Sequence, residues 1–209
     1  MRPTVHPETI ALIVEEYGAD RRQRAAEDAW WRADGLPFEA VLDRVGRAEV
    51  LGKRHGHQRR LTAAALEAGR RALHAISDQL RAAPDFLQLW FLVQAAFAPI
   101  RGLGELAVYD AAERLRHRLK LSSHHVIYLH AGARGGARRL AGGRLPKESA
   151  WGILRTEVPS GLQHLSTHEI EDVLCIYKDE LLLSPQQFRA GRSGGGSRCG
   201  GAPDLRPVC

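Results

Sequence analysis

The stretch I100-R-G-L-G-E-L-A-V-Y-D-A-A-E-R-L-R-H-R-L-K-L121 decides the fold. Two glycines, Gly102 and Gly104, stand in a tight turn that leads straight into a helix. Glycine reaches backbone angles closed to other residues, so the chain can turn sharply there and approach another molecule with no Cβ between them. The amides of the turn and of the first helical turn then point outward together, and the helix dipole favours an anion beside them. Ile100 and Leu103 are expected to tuck beneath the turn and join its two helices. A plain helix-to-helix connection could use the same pair of glycines. The surroundings favour the anion site: an apolar helix before, a long helix after, and a basic surplus nearby.

Working outward, the longest apolar stretch, Phe86 to Ile100, holds Gln88 and Gln94 and is too short for a membrane span, so it reads as a buried helix. Asp85 is its expected N-cap and Pro99 its end. Helices are also expected over 7–31, over 37–50, and over 61–81 with Pro84 as the stop. Another is expected from Thr167 to about Leu183, where Ser166 and Glu169 form a capping box and Pro185 ends the run. No segment shows the sustained apolar and polar alternation of a half-buried strand. The reading is an all-α fold, a compact helical bundle around a central helix-hairpin-helix, in one domain over 1–190. The remainder, 191–209, is rich in glycine and serine and is expected to be a disordered tail.

The chain has 209 residues, 30 Lys and Arg against 24 Asp and Glu, and a formal charge of +6. The surplus is uneven. Lys53, Arg54, Arg59 and Arg60 lie in one acid-free loop, K-R-H-G-H-Q-R-R. From Arg101 to Arg144 nine basic residues face three acids. One polyanion-facing side would produce this pattern, and so would a need for solubility. Cys175, Cys199 and Cys209 are widely spaced and form no C-x-x-C pair, which supports neither a disulfide framework nor a thiolate metal site and excludes an iron–sulfur cluster. The apolar run Ile10 to Val14 is too short for a signal segment, and a cytoplasmic location is expected. No cofactor motif is present. Zinc at His55 and His57 would lack partners, so no metal is expected.

The segment I-R-G-L-G followed by a helix resembles the hairpin of the helix-hairpin-helix DNA glycosylases, the base-excision superfamily. V-I-Y-L-H-A-G-A-R-G-G-A-R-R-L is similar in layout to the piece after that hairpin, so the likeness covers roughly 85–140. It implies a double-stranded DNA partner, a damaged or modified base as substrate, and hydrolysis of the N-glycosidic bond. The context would be repair or defence against phage DNA. The family's catalytic aspartate falls here on Tyr128, with Leu129 next and His130 on the family's histidine. The lysine of its lyase members falls on Leu106, which cannot form a Schiff base. Hydrolysis would therefore need another carboxylate, and the alternative is a DNA-binding protein with no catalysis.

On a helical wheel Val108, Ala111, Ala112, Leu115 and Leu119 make one apolar face of the helix after the hairpin. Leu106, Asp110, Glu113 and His117 lie opposite. Asp110 could position water and stabilise an oxocarbenium ion, with Glu113 and His130 as further catalytic candidates. Asp110 with Arg114 and Glu113 with His117 are equally ordinary pairs on a solvated face. Backbone contacts are expected from Arg101, Gly102, Leu103 and Gly104, and from Arg134 and Arg138, four residues apart on one helical face. Lys53, Arg54, His57, Gln58, Arg59 and Arg60 are expected to reach phosphates or base edges. Tyr128 is either core or a stacking platform for an extruded base. Trp30, Trp31, Trp90 and Trp151 are expected in the core.

Overall fold

The computed structural model describes residues 4–33, 35–50, 53–54, 58–122, 126–143, 145 and 151–193, without the side chains of 19, 20, 23 and 24. Gly52, His55, Gly56, His57, Arg144 and the tail from 194 lie outside them. The described residues form a mostly helical fold. The chain divides into two compact units, one of residues 22–123 and one of 1–21 with 124–209, the division falling inside helix α1 (Pro7–Arg32).

The unit of 22–123 holds the second half of α1, then α2 (Phe38–Gly46), α3 (Ala63–Ala75), α4 (Ser77–Arg81), α5 (Phe86–Phe97) and α6 (Glu105–Arg118). Its core is built from Phe38, Val41, Leu42 and Val45 of α2, Leu66 and Leu73 of α3, Phe86, Leu89, Val93 and Phe97 of α5, and Leu115 of α6. The α2 positions recur at three and four residues, the stripe that one buried helix face requires. At Gly46 a Cβ would stand 2.7 Å from the Arg70 backbone nitrogen, so α2 and α3 cross at backbone contact. Beside this crossing Asp43 accepts from Arg70 at 2.9 Å and lies 2.9 Å from His74 Nε2. Burial would raise the Asp43 carboxyl, but these two partners outweigh it and hold the group below the usual carboxylate range.

The other unit is built from the start of α1, strand β3 (Val126–Tyr128), α7 (Ala131–Leu140), strand β4 (Gly152–Leu154), α8 (Thr167–Ile176) and α9 (Pro185–Ser193). Its core joins Ile10, Ile13 and Tyr17 to Ile127, Ile153, Leu162, Ile170, Val173, Leu174 and Leu181. The α7 and α8 helices meet along Gly132, Ala133, Gly136 and Ala137, whose small side chains let the two backbones approach closely.

Several expectations need correction. The run 61–81 breaks at Ile76 (φ −116, ψ 21) into α3 and α4. The helix expected to reach Leu183 stops at Ile176, and Pro185 opens α9, the first-turn position where its missing N–H costs nothing. Residues 191–193 complete α9 and so do not belong to a disordered tail. Among the described residues two short antiparallel pairs occur, β3 with β4, and β1 (Glu49–Val50) with β2 (Lys53–Arg54). At two or three residues a strand is too short for alternation to register. No helix of the described residues is long and apolar enough to cross a membrane.

Candidate nucleic-acid interface

The hairpin forms between α5 and α6. Asp85 caps α5 by accepting from the Gln88 amide at 2.9 Å, as its position in the sequence predicts. After α5 the Ile100 amide bonds Phe97 O at 2.9 Å and the Leu103 amide bonds Ile100 O at 3.2 Å, which closes two successive tight turns. Gly102 has φ +102, a region that side chains rarely enter, so glycine is required there. Gly104 is extended (φ −98, ψ −172), is the N-cap of α6, and supplies no side-chain cap. A helix start leaves four amides without intrahelical partners, and Gly104 has no side chain to take them up. Arg101, Gly102 and Gly104 are exposed, whereas Ile100 and Leu103 are half-buried. Leu103 Cδ1 lies 3.0 Å from where a Cβ on Gly69 would be, so it packs on α3 as a peg beneath the turn.

The polar side of α6 departs from the wheel. Asp110, Glu113, Arg114, Arg116 and His117 are all buried, between 3% and 8% exposed, so this is no solvated face. Two buried networks account for them. In one, Gln58 Nε2 donates to Asp110 Oδ2 at 3.1 Å, Arg114 donates to Gln58 Oε1 at 3.4 Å, and Arg114 stands 3.7 Å from Asp110 and 3.8 Å from Glu27. In the other, Arg116 binds Glu113 at 2.8 Å, and His117 Nε2 lies 3.0 Å from Asp28 and 2.9 Å from Arg116. Burial works against the Arg116 charge, but the neighbouring Glu113 carboxylate overrides it, and the guanidinium is held more firmly protonated than usual. Ion pairs with this little solvent are held by geometry on both partners, because either charge left alone would be costly.

The remaining candidates are distributed as follows. Lys53, Arg54, Arg59 and Arg60 are exposed, as a contact role requires. Gln58 is not presented to solvent: it is 4% exposed and belongs to the Asp110 network, which corrects its reading as a base-edge contact. His57 lies outside the described residues. Arg138 is exposed, while Arg134 is half-buried and donates to Leu129 O at 2.8 Å, so the two do not form one free face. Arg139 pairs with Asp179.

His130 and Tyr128 sit in the unit that carries α7 and α8. His130 is the N-cap of α7: its Nδ1 accepts from the Gly132 amide at 3.2 Å, and its Nε2 faces the buried Glu171 carboxylate. His130 and Glu171 thus form a buried imidazole–carboxylate pair at the start of α7. The structure gives His130 the cap of α7 through Nδ1 and the neighbourhood of Glu171 through Nε2. Tyr128 is 4% exposed and its ring lies 5.7 Å from that of Trp151, so it is a packed residue rather than an open platform. Trp151, expected in the core, is 45% exposed.

Sequence reasoning missed the polar stripe of α8, where Asp172 accepts from the Tyr17 hydroxyl at 2.7 Å and Glu171 meets His130. Its signal was present in T-H-E-I-E-D-V-L-C-I, a helix whose charged and apolar residues are both dense. Among the described residues no three His, Cys, Asp or Glu side chains converge as a metal site. Comparison with protein-family models, curated proteins and solved structures finds no match.

Proposed function

We propose that the chain binds the phosphate backbone of duplex DNA through the hairpin between α5 and α6. One observation carries this reading: an exposed turn with Gly102 at φ +102 and Gly104 as an uncapped helix start, pegged from below by Leu103 on α3. Such a turn offers amide donors and the positive end of a helix dipole with no side chain on either glycine, and of its exposed neighbours Arg101 adds a cation and Glu105 an anion. Contacts of this kind fix register on a backbone and read no sequence. Binding to random-sequence duplex, measured across a salt series, should weaken linearly on a log–log plot with a slope of about 0.9 per phosphate contacted. Binding that ignores salt, or no binding, removes the reading.

Hydrolysis of the N-glycosidic bond of a damaged or modified base is the second reading, favoured by Asp110. This carboxylate sits on α6 about 9 Å along the axis from Gly104 and is oriented by an amide and a guanidinium. Water that gives its proton to Asp110 would attack the sugar carbon as the bond from that carbon to the base nitrogen breaks, the base leaving with the electron pair and taking a proton from solvent, while the backbone is held at the turn. Incubation with duplexes carrying varied base modifications should then yield alkali-labile abasic sites. Asp110→Asn should reduce their formation by at least about a hundredfold, the scale of a lost general base. Equal cleavage by that variant removes Asp110 from the chemistry.

A further inference from the structure

Among the described residues of its loop, Gln58 is the buried side chain in a run of exposed cations. Its neighbours Arg59 and Arg60, and Lys53 and Arg54 before it, all face solvent, while Gln58 itself is enclosed against α6. Both ends of its amide are used, the nitrogen on Asp110 and the oxygen on Arg114. The short turn it opens is closed further by the Leu61 amide on Gln58 O at 3.1 Å and by Arg54 reaching Leu61 O at 3.4 Å. Directly after it, Thr62 caps α3 by accepting from the Ala65 amide at 3.1 Å. The same Ala65 is the residue beside the hairpin glycine: a Cβ on Gly102 would lie 3.7 Å from Ala65 Cβ. Two turns that are more than forty residues apart in sequence therefore stand next to each other, one offering amides and the other two arginines. No acid occurs between Gln58 and Leu66, and the acid that borders the hairpin is Glu105, directly after Gly104.

We infer that Gln58 is a positioning residue that bolts the Arg59–Arg60 turn to α6, so that this turn and the Gly102–Gly104 hairpin form one surface gripping a single DNA backbone. The inference rests on the hairpin reading and assigns Asp110 and Arg114 a second task, as the anchor for Gln58. An arginine on a tethered turn spends less conformational freedom on binding than one on a free loop. Releasing the turn therefore weakens the contact although both arginines remain.

The salt dependence of duplex binding tests this. Arg59→Ala with Arg60→Ala, both at the surface, should lower the log–log slope by about 2, the value for two phosphates no longer neutralised. Gln58→Leu, with every cation kept, should lower it by a similar amount, and combining all three substitutions should add nothing more. Gln58→Glu gives a readout that a folding defect would not. Near pH 8 the introduced carboxyl repels Asp110 and the slope should fall. Lowering the pH until the introduced carboxyl takes up a proton, against the pull of the neighbouring Arg114, restores a donor to Asp110, and the slope should return toward that of the parent at the same pH. A parent-like slope for the arginine pair, or full additivity with Gln58→Leu, overturns the inference while leaving the hairpin reading intact. Absence of salt-dependent binding by the parent overturns both.

Discussion

Gly136→Ala is expected to destabilise the unit that carries α7 and α8 by about 3 kcal/mol, at the upper end for an overpacked core. In α7 a Cβ at this position would stand 2.9 Å from the Leu174 carbonyl carbon and closer still to its oxygen. That obstacle is backbone, in the last turn of α8, so no rotamer change can clear it. The adjacent Gly135 provides the contrast, because the nearest atom to a Cβ there is Lys178 Cδ at 3.8 Å, at the end of a flexible side chain. Alanine in a helix is favoured over glycine by roughly 1 kcal/mol, so Gly135→Ala should stabilise by up to that amount. Urea denaturation of the two variants should move the midpoint in opposite directions. Two shifts of the same sign would mean that α7 and α8 do not cross at Gly136. Gly132→Ala is intermediate: its Cβ would overlap Cys175 Sγ, and removing that sulfur with Cys175→Ala should recover much of the loss.

The features that the sequence made legible are those set by neighbours in the chain. Asp85 and Ser166 cap the helices that come after them because a cap depends only on the next three residues. The Gly102–Gly104 turn was visible for the same reason. The hidden features depend on distant partners. The pairs Asp110 with Arg114 and Glu113 with His117 have the same spacing on a solvated helix and a buried one. Only Glu27, Asp28 and Gln58, at least fifty residues away, decide between them. A helical wheel presumes one wet side, and α6 has none over its middle turns. Pro185 misled in another way, since proline both ends a helix and opens one, and the choice depends on the residues C-terminal to it. His130 was found as a residue of interest, but the Glu171 carboxylate that it meets comes from another helix, far along the chain, which local spacing does not reveal.

Gly104→Asp should separate stability from binding at the hairpin, because the two effects have opposite sign. The position is extended and a Cβ there meets nothing within 4 Å, so the side chain enters without strain. Aspartate is a better N-cap than glycine by a few tenths of a kcal/mol, and its charge suits the dipole of α6, so the melting midpoint should stay level or rise. The carboxylate would take up the amides that the phosphate needs and would place a negative charge where the phosphate sits. Losing a charge-assisted hydrogen bond costs roughly 1.5–3 kcal/mol, so duplex affinity should fall by about ten- to a hundredfold before repulsion is added. Gly104→Asn offers the same cap without the charge and should lose less, and the difference between the two variants should shrink as salt is raised. Parent-like affinity in a well-folded Gly104→Asp protein would place the DNA contact elsewhere on the chain. A loss of affinity that tracks a loss of folding would instead show that the turn cannot accept a side chain at all.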